Sequence, residues 1–188
     1  MSENGIGRAV IIISLLFFST ILIGWVGTAQ NQAVGEEFMH MFEKDVAKQV
    51  MGGTNAEIGS KIFLNNLEAC LFLFLGGASF GIFTIFIMSL NGIVIGAIME
   101  IVHQQHSPAF VAAAILPHGI FEVPGFIIAG ALGIMLSQSL INEYYGKGDA
   151  AAETQRLAWS FVLIVLPLIA VAALVEAFIT PQVIQLVI

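Results

Sequence analysis

The chain has 188 residues, 58% of them hydrophobic and 10% charged, with a formal net charge of −7. Soluble domains carry roughly 25% charged residues, so this composition, with a mean hydropathy of +0.95, excludes a water-soluble globule and points to an integral membrane protein. The acidic balance excludes nucleic acid as a partner, and the scatter of the six Lys and Arg residues excludes a polybasic lipid-binding patch. The apolar stretches are long runs rather than the ~10-residue alternating strands of a barrel. The fold class is therefore all-α: a polytopic helical bundle, in one membrane domain, with the lipid bilayer as its solvent.

In chain order, residues 9–29 carry no charge and read as a first transmembrane helix, retained rather than cleaved because the run exceeds a signal-peptide core. Trp25 near one end suits the interface. Residues 36–52 are the strongly charged segment. Phe38, Phe42, Val46 and Val50 recur every four positions, with Glu36, Glu37, Glu43, Asp45, Lys44 and Lys48 on the other faces, which predicts an amphipathic interfacial helix; His40 falls on it as a surface residue.

A membrane segment is predicted at 61–90, with Gly76 and Gly77 as close-packing residues and the break at Asn91-Gly92. Residues 93–117 contain two short apolar pieces around His103-Gln-Gln-His-Ser-Pro108. Neither spans ~30 Å alone, so this is the expected discontinuous or re-entrant region. Residues 119–141 and 157–179 are the remaining crossings, about five membrane segments in all. Ala129 and Gly133 form a small-xxx-small pair, and Pro167 marks a kink in the last crossing. With the apolar tail Gln182–Ile188, the glycine-lined faces suggest a homodimer. Cys70, the one cysteine, reads as a small buried hydrophobe.

The ionisable residues carry the functional question, because charge inside a membrane marks a candidate site. His118 and Glu122 lie four apart in a stretch from Ser107 to Asn142 that is otherwise uncharged, bracketed by Pro117 and Pro124. Glu100 and His103 form an E-x-x-H. Each pair shares one helical face. With Glu68 they offer a candidate metal set of His118, Glu122, Glu68, Glu100 and His103, whose nitrogen and carboxylate donors would suit zinc or another divalent transition metal. The bland alternative is a structural hydrogen-bond network of Asn65, Asn66, Asn91, His118 and Glu122, joining helices for ~0.6–2 kcal/mol per pair. A third is a proton or ion relay in a transporter or channel component. There is no G-x-S-x-G, H-E-x-x-H or P-loop, which leaves a metal-dependent intramembrane enzyme as the weakest reading.

Asn65-Asn66 opening a glycine-rich run, Asn91-Gly92 after it, and Leu116-Pro-His-Gly-Ile-Phe-Glu122 before a glycine-rich span together resemble the stage II sporulation protein M family, over about Phe38 to Ile141 and the final helix. The resemblance implies a multi-pass protein of the cell membrane. It implies Asn65, Asn66, Asn91, His118 and Glu122 as the matching motif positions. It also implies a scaffold role beside cell-envelope proteins, since the namesake acts with a peptidoglycan-cleaving lytic enzyme and an amidase at the septal membrane. Glu68, Glu100 and His103 rest on spacing alone.

Overall fold

A computed structural model describes residues 3–31 and 53–187. The predicted amphipathic helix at 36–52 lies outside them. The elements are α1 (Glu3–Gln30), α2 (Asn55–Leu75), a 3₁₀ turn (Gly76–Ser79), α3 (Ile82–Gln105), α4 (Pro108–Tyr144), α5 (Ala150–Ser160), a π turn (Phe161–Val165), α6 (Leu166–Phe178) and α7 (Thr180–Gln185). No strand occurs among the described residues. Among the described residues, five stretches are long and apolar enough to cross a membrane: α1, α2 with its 3₁₀ turn, α3, α4, and α5 through α6.

The helix starts follow local chemistry. Thr54 opens α2 with a capping box: its hydroxyl accepts from the Glu57 amide while the Glu57 carboxylate accepts from the Thr54 amide at 2.7 Å. Ser107 caps α4, with Pro108 beside it where a missing N–H does no harm, and Asp149 caps α5.

Two predicted boundaries fall elsewhere. The break expected at Asn91-Gly92 is helical; the turn lies at Gly76–Gly81. There Phe80 and Gly81 have φ of 56° and 83°. The Ser79 hydroxyl donates to the Gly76 carbonyl at 2.7 Å and accepts from the Phe83 amide at 2.9 Å. Across the turn, the Thr84 hydroxyl donates to the Leu73 carbonyl at 2.9 Å. Asn91 does not break its helix because its amide donates back to the Ile87 carbonyl at 2.9 Å.

The discontinuity expected at 93–117 is a turn between two full helices rather than a re-entrant pair of short pieces. Residues 82–105 form one helix, the chain turns at His106 and Ser107, and α4 runs unbroken for 37 residues through Pro117 and Pro124. Prolines are tolerated in membrane helices where neighbours satisfy the freed backbone. At ~1.5 Å per residue α4 is about 55 Å long, well over the ~30 Å hydrocarbon thickness. The irregular crossing is instead the last one. Its π turn stands immediately before Pro167, where the proline breaks the i−4 ladder.

α4 is the central element, packed against α1, α2, α3, α5, α6 and α7. Ile13, Phe17, Leu73, Met88, Leu132, Leu157, Val165 and Ile169 are fully enclosed around it. Leu15, Phe18, Leu22, Ile82, Phe86 and Leu163 point outward, as lipid permits. Lipid tails are as apolar as leucine, so helix contact in a bilayer depends on close packing rather than on the hydrophobic effect. Accordingly, a Cβ at Gly92 would overlap the Thr20 hydroxyl, at Gly96 the Ile21 carbonyl, and at Gly24 the Ile93 carbonyl. These glycines seat α1 on α3 at backbone distance. The predicted Ala129/Gly133 face is a close-packing face: Ala129 is fully buried and a Cβ on Gly133 would strike the Leu73 carbonyl. This face packs inside the chain, and α7, which contains part of the apolar tail, packs on α4 and α6.

Candidate intramembrane polar site

α2, α4 and α6 meet on a second set of small residues. Gly59 faces Ala173 and Ala177, a Cβ at Gly59 lying 3.2 Å from that of Ala177. Gly125 faces Ile169 and Leu168. These contacts set one face of α6 against α2 and α4, and that face carries Glu176. One turn before Gly125, α4 presents Glu122, and a further turn back, His118. One ligand atom from each of His118, Glu122 and Glu176 lies within 4.8 Å of the others, and all three residues are half-buried. From α2, the side-chain amide of Asn66, 8% exposed, lies beside the Glu122 carboxylate. Cys70, four residues on, is fully buried on the same face of α2 and within electrostatic range of Glu122. Nδ1 of His118 is buried and has no hydrogen-bond partner among the described residues.

This arrangement has a charge problem to solve. Two carboxylates that close, away from bulk water, require a shared proton, a cation or strong donors. Asn66 supplies one donor. The unpartnered imidazole nitrogen supplies a lone pair or a second donor, according to tautomer. The cluster is therefore suited to holding a proton or a cation.

The other predicted residues go elsewhere. Glu100 is 7% exposed and pairs along its own helix: Gln104 donates to it at 2.9 Å and His103 Nδ1 lies 3.7 Å away. The His103 ring sits 5.5 Å from that of Trp25, so this group joins the ends of α3 and α1. Glu68 and Asn65 are exposed on the outer face of α2. Asn91 is occupied by its local bond. Of the proposed metal set, the structure brings together His118 and Glu122; of the proposed polar network, Asn66, His118 and Glu122. Glu176 was not included in either set. Its signal was available, since it is an acid in an otherwise uncharged final crossing, the same argument that singled out Glu122.

Fold and site thus define a multi-pass helical membrane protein with an acidic and imidazole cluster between three of its helices. The family model of stage II sporulation protein M matches residues 13–181, and the chain belongs to that family. It is similar to two uncharacterized proteins of Methanocaldococcus jannaschii. MJ0793 is 27% identical over 125 residues, covering 65% of this chain and 70% of that protein. MJ0706 is 24% identical over 140 residues, covering 72% of this chain and 62% of that protein. No solved structure matches the chain.

Proposed function

We propose that the protein is a scaffold or complex subunit in the cell membrane, of the stage II sporulation protein M type, which holds cell-envelope proteins and does not itself catalyse or transport. One observation carries this reading: helix pairs are fixed at backbone contact. Gly24, Gly92 and Gly96 lock α1 to α3, and Gly77 and Gly133 lock the α2–α3 turn to α4. Alternating access needs elements that rock or slide between two packings. Seams that leave no room for a methyl group favour one packing, which suits a frame.

The test is cross-linking in native membranes followed by purification in mild detergent, alongside flux measurements in liposomes. The expected result is a stoichiometric complex with envelope proteins, and ion and proton flux no greater than in empty vesicles. Flux above that background, lost in Glu122→Gln, would replace the scaffold by a transporter or channel component.

A further inference from the structure

We propose that His118, Glu122 and Glu176 form a divalent transition-metal site that ties α4 to α6 inside the membrane bundle. The proposal does not depend on the scaffold reading. Three donors from two helices converge: an imidazole and two carboxylates, with one atom of each inside a 4.8 Å radius of the others. Their spacing is tight enough for one ion to reach all three with small side-chain movements. Protein ligands to zinc bind at ~2.0–2.2 Å, so oxygen and nitrogen atoms around one ion stand only a few ångströms apart.

A second, independent observation points the same way. His118 Nδ1 is buried without a partner among the described residues, and a buried nitrogen left unpaired costs ~1–3 kcal/mol. Ligation through Nδ1 would satisfy that atom, and the ion would at the same time balance the paired carboxylates. Asn66 completes the pattern. Its amide stands beside the Glu122 carboxylate, where an outer group can orient a metal ligand.

The donor set selects the class of ion. Calcium takes six to eight oxygens, and magnesium keeps its waters in octahedral geometry. One nitrogen and two carboxylates match zinc and its first-row neighbours. Three protein ligands leave one tetrahedral position, which water would fill.

Equilibrium dialysis of the chelator-stripped, tag-free protein in nanodiscs against zinc, read by elemental analysis, tests the proposal. Cobalt absorption reports the coordination. The expected result is one zinc per chain, a tetrahedral cobalt spectrum, and a zinc-dependent rise in melting temperature. His118→Ala, Glu122→Gln and Glu176→Gln should each abolish stoichiometric binding. Asn66→Ala should weaken it about 10–100-fold. Glu100→Gln and His103→Ala should bind as the wild type does. Absence of zinc above background on the wild-type protein overturns the proposal, whether or not any variant folds. So does binding that survives in all three ligand variants, or that is lost only in Cys70→Ser.

Discussion

Two seams hold this bundle together, and they are built differently. Between α1 and α3 the contact is made by Gly24, Gly92 and Gly96 against backbone atoms and the Thr20 hydroxyl. Between α2, α4 and α6, glycines at 59 and 125 bring the helices close, but the space so made holds Asn66, His118, Glu122 and Glu176. The first seam gains dispersion contact and weak backbone interactions. The second places ionisable groups where they are costly, which structural joining alone does not require. The first seam is fastened by glycines without any ionisable group, so the ionisable groups of the second seam call for a role beyond fastening.

The largest expected effect lies in the first seam. Gly96→Ala adds one methyl group against the Ile21 carbonyl, which cannot rotate away. Gly27→Ala makes the same chemical change where none of the described residues lies within 4 Å. Gly96→Ala should cost about 3 kcal/mol, the upper end for overpacking, while Gly27→Ala stays within about 0.5 kcal/mol of wild type. Reversible unfolding in mixed micelles measures both. Equal effects would remove the close-packing account.

The second seam should respond more moderately. Glu122→Ala removes the acceptor beside the Asn66 amide and should cost about 1–3 kcal/mol, the penalty for a buried group left unpaired. Glu122→Gln, which keeps the shape and an acceptor, should cost less. Of the two adjacent asparagines, Asn66→Ala should be destabilising by about 1 kcal/mol, and Asn65→Ala, on the outer face, by far less. Smallest of all should be Glu100→Gln, at about 0.5 kcal/mol or below, because its contact with His103 is a local i, i+3 pair on one helix; His103→Ala, which also gives up the ring contact with Trp25, should cost about 0.5–1 kcal/mol. A larger loss from His103→Ala than from Glu122→Ala would invert the ranking of the two polar groups.

The same contrast explains what could be read from the sequence. Hydropathy indicated a helical bundle of about five crossings but not where the second, third and fourth divide, and the spacing of Ala129 and Gly133 identified a packing face, because these signals are local. Glycine misled at Gly92. It reads equally as a turn or as a close contact, and Asn91 beside it favours a turn in sequence although its side chain bonds back to its own helix. The G-x-x-x-G spacing of Gly92 and Gly96 was the better guide. Helical phase decided among the polar residues of α2. Asn66 and Cys70, four apart, face inward, while Asn65 and Glu68 are rotated away from them by roughly 100° and 200°. Glu176 was beyond reach of any spacing rule. It meets Glu122 only through the packing of α6 on α4, a contact between residues far apart in the chain.

That contact is the central claim, and a double-mutant cycle tests it directly. Glu122→Gln and Glu176→Gln are made singly and together, with Glu122→Gln and Glu100→Gln as a parallel cycle, and unfolding free energies are measured for all. Residues in contact couple by about 0.5–3 kcal/mol, whereas distant ones add within about 0.3–0.5 kcal/mol. The structure predicts coupling of at least about 0.5 kcal/mol between positions 122 and 176 and additivity between 122 and 100. Additivity at 122 and 176, or coupling only with 100, would contradict it.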